Sequence, residues 1–164
     1  MKMAMESFCS LRMVSDYEKR YYIPAARRWD GLLAENAKEA KSLAAQSYRL
    51  RALWENIEID APQRDTSGPY RVGDHFRVTS EVNLGEIRPD EVDVELYYGH
   101  LESLEKVSSA RIESMKVVEE KRNGKYLYGC DLNCDVSGRF GFTVRVAPVG
   151  DTRIKTTPRL LTWA

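Results

Sequence analysis

The sequence predicts a mainly β protein in which an N-terminal segment of two or three helices precedes an antiparallel β-sandwich of about seven strands. Apolar residues before position 57 recur at the helical spacing of three and four, whereas those after it alternate with polar ones, as in strands with one buried face. No helical pattern separates the strands, and parallel strands would need such crossovers. We therefore predict a helical segment at residues 1–56 and an immunoglobulin-like sandwich at 57–164, with a small barrel as the alternative architecture.

Composition excludes some classes of partner. The 164 residues suit one domain, or a compact domain with a helical extension. Because 25 lysine and arginine residues balance 25 aspartate and glutamate residues, no global field favours binding to nucleic acid or to an anionic membrane. No apolar run approaches the roughly 20 residues that span a bilayer, and the first residues lack the apolar core of a secretion signal. These features predict a cytoplasmic protein with neither a nucleic acid nor a membrane as partner.

The helical segment contains three candidate helices. Ser10 is a candidate N-cap of the first, and Pro24 suits the first turn of the second. Asn36 and Glu39 have the spacing of a capping box, which predicts the start of the third. Three short helices cannot close a core, so their apolar faces must pack on the β-domain or on another protein. The face of the first helix predicts self-association if it stays exposed; it comprises Met13, Val14, Tyr17 and Tyr21.

Alternation and turn residues place the strands. Asn123-Gly124 is the strongest hairpin signal in the chain, because both positions of a tight hairpin turn need a positive φ. The clearest strand follows Ser137-Gly138, where alternate apolar residues from Phe140 onward predict one buried face. The predicted strands cover residues 57–59, 76–84, 92–98, 112–118, 126–132, 140–146 and 160–163.

The sequence holds few candidates for chemistry. It contains no nucleotide-binding glycine motif, no zinc-protease motif and no nucleophile elbow. Cys130 and Cys134 lie about 13 Å apart along an extended strand, which is beyond disulfide reach. Tyr97 is the candidate contact for a carbohydrate or a partner protein, because its parity is opposite to that of Tyr98 and one of the two rings must face outward. The alternative is that Tyr97 packs under the N-terminal helices.

Several ordered motifs together resemble one enzyme family. Residues 8–17 read FCSLRMVSDY and residues 21–26 read YYIPAA. Residues 84–92 read LGEIRPDEV, residues 138–148 read GRFGFTVRVAP, and the last five read LLTWA. The first two stretches are similar to the helix that closes the catalytic body of α-glucan (glycogen/maltodextrin) phosphorylases. The others resemble the β-domain that a bacterial and archaeal branch of the family carries after this helix.

The resemblance implies a role without catalysis for this chain. Members of the family cleave α-1,4-glucans with inorganic phosphate to release glucose 1-phosphate, and they use pyridoxal phosphate. The E-x-x-G-T-x-N-M-K segment that holds the cofactor lysine in the family does not occur here. We therefore expect no catalytic, cofactor-binding or metal-binding residue in this chain, and pyridoxal phosphate only in the full-length parent. The expected partner is the catalytic body of such a phosphorylase, with a structural or interaction role for the domain; the alternative is a module that binds α-glucan.

Overall fold

A computed structural model describes residues 9–103, 106–155 and 157–164. The chain divides into two compact units, of which one ends at Gln46 and the other begins at Ser47. The boundary predicted from the sequence, between residues 56 and 57, stays a prediction.

The first helix, α1, spans Ser10–Tyr17 and starts one residue earlier than predicted. Cys9, not Ser10, is the N-cap: its backbone is extended, and its Sγ accepts a hydrogen bond of 3.4 Å from the Arg12 amide. The predicted cap was wrong because a thiol in this position can also accept from a free amide of the first turn.

Helix α1 continues through a π-helical turn, Glu18–Tyr22, into the long helix α2, Ile23–Trp54. Pro24 is the second residue of α2, as expected for an early helical position. The wider π turn, in which the Ile23 amide donates to the Glu18 carbonyl, comes directly before the proline. A proline ring clashes with a carbonyl of the preceding α-helical turn, so this widening lets the helix pass the proline without ending.

Helix α2 is broken near the predicted start of a third helix. Ala34 is extended, and Glu35, Asn36 and Ala37 follow with left-handed backbone angles. Asn36 therefore lacks the extended backbone of an N-cap, and the predicted capping box was wrong. The carboxylate of Glu39 instead accepts a hydrogen bond of 2.6 Å from the Arg28 guanidinium.

The last turns of α2 belong to the second unit and carry buried apolar residues. Leu50 and Trp54 are buried, and their spacing of four residues places them on one face of the helix. Arg49 and Arg51 lie on the exposed side of the same turns.

In the described part of the chain, nine antiparallel strands form two sheets. One sheet has the order β1-β3-β7-β6, with β2 also paired to β3, and the other has the order β5-β4-β8-β9. The strands are β1 (Glu58–Ile59), β2 (Gln63–Arg64), β3 (His75–Asn83), β4 (Val92–Ser103), β5 (Lys106–Ser114), β6 (Lys116–Glu120), β7 (Lys125–Asn133), β8 (Phe140–Pro148) and β9 (Thr162–Trp163). A 3₁₀ turn, Pro89–Glu91, precedes β4, and a short helix, α3 (Thr152–Lys155), follows β8. The mainly β prediction is confirmed, and the two sheets fit a β-sandwich; the immunoglobulin-like arrangement stays a prediction.

Alternate residues of the inner strands form the core of the second unit. Their buried side chains follow the period of two that the sequence shows. They include Val78, Val82, Val94, Leu96, Val144 and Val146.

The predicted strand at residues 112–118 is in fact two strands in different sheets. Strand β5 ends at Ser114 in one sheet, and β6 begins at Lys116 in the other. Met115 lies between them, is buried, and donates its amide to the Val94 carbonyl at 2.8 Å. The chain therefore passes from one sheet to the other at a single apolar residue, and no turn-forming residue at this point predicts the change. The Asn123-Gly124 hairpin between β6 and β7 is confirmed, with φ of 62° and 74°.

Candidate functional site

Tyr97 lies on β4 in a cluster of aromatic and charged side chains. Its ring meets the ring of Trp163 edge to face, with centroids 5.4 Å apart. The guanidinium of Arg145 lies 5.8 Å from the Tyr97 ring and 5.3 Å from the Trp163 ring. These distances are within the range of a cation–π contact, so one arginine links two rings from different strands. We call Tyr97, Arg145, Trp163 and Glu95 the Tyr97 cluster.

Strand register brings the Tyr97 cluster together. Glu95 pairs across the ladder with Arg145, and Arg145 pairs with Trp163. The Arg145 Nε donates to the Glu95 Oε2 at 2.6 Å, and only about a fifth of either side chain is exposed (21% and 18%). Because the charge of Arg145 is balanced, the cluster offers two half-exposed rings rather than a free cation. Its rings can contact the apolar face of a sugar or a partner surface, and both interpretations of Tyr97 remain predictions.

Asp93 and Glu95, two residues apart on β4, each accept a hydrogen bond from a neighbouring strand. Asp93 accepts a hydrogen bond of 2.8 Å from the Ser114 hydroxyl, and Glu95 is engaged by Arg145. Both carboxylates are half-buried and have specific partners on neighbouring strands.

A cavity of about 940 Å³ opens at one end of the sandwich, where β3 begins, β7 ends and β8 begins. Sequence reasoning missed it, because its walls come from segments far apart in the chain. Rings and charged groups line it together; they include Arg64, Tyr70, Arg71, Tyr98, Phe140 and Phe142. A volume of this size is within the usual range of small-molecule sites, roughly 300–1,000 Å³.

The aromatic lining of this cavity is partly fixed by its own contacts. Tyr70 stacks on Phe76, with centroids 4.4 Å apart and planes 18° from parallel, and the Arg64 guanidinium lies 5.6 Å from the Tyr70 ring. Phe140 has the inward parity predicted for it, yet it is 44% exposed because it lies at the open end of the sandwich. The ring of His100, its cross-strand neighbour, lies 5.3 Å from it.

Cysteine chemistry has little support in this fold. Cys9, Cys130 and Cys134 are free thiols. Burial raises the pKa of the Cys130 thiol to about 11, so it stays protonated at neutral pH and is a poor nucleophile. Among the described residues, no cluster of three histidine, cysteine or acidic side chains has the geometry to hold a metal ion.

The cavity does not fit pyridoxal phosphate. That cofactor is held through a lysine amine as a Schiff base. None of the described residues that line the cavity is a lysine. No step of cofactor chemistry is therefore assigned to this chain.

Fold and site together define a mainly β module that follows a helical segment in the chain. The glycogen phosphorylase C-terminal domain family matches at residues 54–164, and the chain belongs to this family. It is similar to the glycogen phosphorylase of Mycobacterium bovis, with 28% identity over 138 residues, and to that of Mycobacterium tuberculosis H37Rv, with 27%. Each alignment covers 84% of this chain and 16% of the relative, so the chain spans about a sixth of the length of these relatives. The resemblance seen in the sequence is thereby confirmed.

No solved structure gives a significant match to this chain. Within the part of the chain that the structure describes, no helix combines the length and the apolarity needed to cross a bilayer.

Proposed function

We propose that this chain is a noncatalytic C-terminal domain that docks through its helical segment on the catalytic body of an α-glucan phosphorylase. The exposed apolar face of that segment carries the proposal. Large apolar side chains in residues 11–22 are between 46% and 78% exposed; they are Leu11, Met13, Val14, Tyr17, Tyr21 and Tyr22. Six exposed large apolar side chains within twelve residues are typical of an interaction surface.

The length of the relatives supports one partner for this face. They are about six times as long as the aligned region, and they are glycogen phosphorylases. The remainder of such a protein is the natural occupant of an exposed face that leads into the C-terminal domain. In this proposal, phosphorolysis of α-1,4-glucan and the pyridoxal phosphate that it uses belong to that remainder. The proposal also includes the cytoplasmic location expected from the sequence.

We expect the isolated chain to self-associate with rising concentration and to bind a phosphorylase body from which the matching region has been removed. The double variant Met13→Gln/Tyr21→Gln should lose both interactions, because it removes apolar area while glutamine keeps a good helix propensity. Sedimentation velocity across concentrations, with and without the truncated body, measures both.

The matched control is Val117→Thr/Val118→Thr on β6, where two valines are 44% and 51% exposed. It removes exposed apolar groups from a different surface while keeping β propensity, so both interactions should persist. A monomeric sedimentation profile for the unaltered chain at every concentration, or undiminished binding of the helix variant to the body, contradicts the docking proposal.

A second candidate function is contact with α-glucan at the Tyr97 cluster. The observation in its favour is that two half-exposed rings, Tyr97 and Trp163, meet on one sheet beside a paired Arg145. Aromatic rings pack against the apolar faces of pyranose units, and neighbouring charged groups can bind their hydroxyls.

Maltooligosaccharide titration followed by the NMR signal of the Trp163 indole N–H tests this candidate, because that signal reports on the cluster alone. A glucan site predicts a saturable change, and Tyr97→Ala should weaken binding roughly 3- to 10-fold, which corresponds to about 0.5–1.5 kcal/mol for one aromatic contact. Tyr48→Ala, a change at an exposed ring in α2, should leave the affinity unchanged. An absence of any saturable change favours the structural role alone.

A further inference from the structure

The cavity at the end of the sandwich has an excess of positive charge. Arg64, Arg71 and Arg111 line it, and Asp135 is the acidic residue among its described lining. Asp135 lies 3.7 Å from the guanidinium of Arg111, so that pair is largely balanced. The two remaining arginines give the cavity a net positive charge in a chain whose total charge is zero. The described structure shows no acidic partner for the side chains of Arg64 and Arg71.

Arg64 is oriented by contacts that leave its hydrogen-bonding capacity in place. Its guanidinium lies over the ring of Tyr70, and Tyr70 is itself stacked on Phe76. A cation–π contact uses the charge of the group and leaves N–H donors free for an anion. Such a guanidinium loses less conformational freedom on binding than one on a mobile side chain.

Phe140 provides a surface for a ring in the same cavity. It is 44% exposed, and the edge-to-face neighbour His100 limits its movement. A planar or cyclic ligand can therefore contact Phe140 while an anionic group reaches the arginines.

We propose that this cavity binds a small phosphorylated ring compound, with the phosphate on Arg64 and Arg71 and the ring on Phe140. A phosphomonoester carries close to two negative charges at neutral pH and three acceptor oxygens, which suits two guanidinium groups better than a single carboxylate does. A sugar phosphate and a nucleoside monophosphate share this chemistry. The proposal goes beyond the docking role and does not depend on it.

Calorimetric titration of the 164-residue chain tests the proposal with matched pairs of ligands: uridine monophosphate with uridine, and ribose 5-phosphate with ribose. We expect the phosphorylated member of at least one pair to bind, its unphosphorylated partner to bind at least tenfold more weakly, and added salt to weaken the binding. The pair whose phosphorylated member binds shows whether the ligand is a nucleoside monophosphate or a sugar phosphate. Inorganic phosphate alone should bind more weakly than the better ring compound.

Substitutions locate the binding within the cavity. Arg64→Gln and Arg71→Gln should each raise the dissociation constant about tenfold or more, and Arg64→Lys should fall between wild type and Arg64→Gln because it keeps the charge without the planar fork. Phe140→Ala should lower the affinity for the ring compound several-fold without changing the affinity for inorganic phosphate. The control Arg122→Gln, which removes one charge outside the cavity, should have no effect. Thermal melts of each variant check that it folds, and Arg71→Gln remains informative if loss of the Tyr70 contact destabilises the Arg64 variants.

Four results would overturn the proposal. The first is that none of the phosphorylated compounds binds. The second is that uridine or ribose binds as tightly as its phosphate, which would indicate a neutral ligand. The third is that both arginine variants bind like Arg122→Gln, which would remove the contact of the phosphate with the arginines. The fourth is that inorganic phosphate binds as tightly as the ring compounds, which would remove the contact of the ring with Phe140.

Discussion

Leu96→Ala is expected to lower the free energy of unfolding of this chain by about 3 kcal/mol, within a range of roughly 2–5 kcal/mol for buried leucines. Leu96 is fully buried (0% exposed) on β4, which lies between β5 and β8. The cost has two parts: the apolar surface that is no longer removed from water, and the cavity that the surrounding strands cannot refill. Urea denaturation followed by circular dichroism measures it.

Ile112→Ala is the matched control for this prediction. Ile112 lies on the neighbouring strand β5 and is 49% exposed, so its truncation should cost less than about 1 kcal/mol. Equal losses for the two variants would contradict the placement of Leu96 in the core. Because both changes remove side-chain carbon atoms from one sheet, their difference isolates burial.

Local pattern determined the strands that the sequence predicted well. In β3, β4 and β8 one face is buried and the other is not. Apolar and polar residues therefore alternate along each strand, and this alternation predicts the strand without knowledge of its neighbours in the sheet. The Asn123-Gly124 turn was equally local, since both residues must adopt positive φ. The change of sheet at Met115 was not predictable in this way, because a buried residue in an irregular strand looks the same as one between two sheets.

The candidate sites were predictable only in part, for the same reason. The parity of Tyr97 follows from β4 alone, but its contact with Trp163 depends on the order of β4, β8 and β9. The cavity depends on Tyr70 and Phe140, which are 70 positions apart in the sequence and line one cavity only in the folded sandwich. Arginines on both sides of that tyrosine in the sequence were the one local hint, at Arg64 and Arg71.

The ion pair between Arg49 and Glu91 is another contact that sequence reasoning did not find. Glu91 ends the 3₁₀ turn before β4, and its side chain is only 8% exposed. One carboxylate oxygen accepts from the Arg49 guanidinium on α2, and the other accepts from the Arg88 amide at 3.1 Å. The pair therefore ties the end of α2 to the start of β4 within the second unit. A buried carboxylate is stable only while such partners satisfy it.

Arg49→Met should lower the free energy of unfolding at pH 7 by about 2–3 kcal/mol. Removing one partner of a buried pair typically costs roughly 3–5 kcal/mol, because it leaves the other charge uncompensated. We place the expected loss lower, since Arg49 is itself 43% exposed and water can approach the pair. Methionine keeps most of the side-chain length and the helix propensity, so the change removes charge and hydrogen bonds more than packing. The control is Arg51→Met, an exposed position in the same turn, which should change stability by less than about 0.5 kcal/mol.

The pH dependence of this loss identifies its cause. Burial acts to raise the pKa of Glu91, but the hydrogen bonds from Arg49 and from the Arg88 amide outweigh it and hold the pKa below the ordinary value of about 4.5. A carboxylate with a lowered pKa in the folded state stabilises the protein above its unfolded pKa, and this contribution disappears as the pH falls through the folded pKa. The difference between wild type and Arg49→Met should therefore be largest near neutral pH and shrink steadily below about pH 4.5. Urea unfolding at pH 7, 5 and 3.5 measures the difference, and a loss that stays constant over this range would show that Arg49 stabilises the fold through packing rather than through its charge.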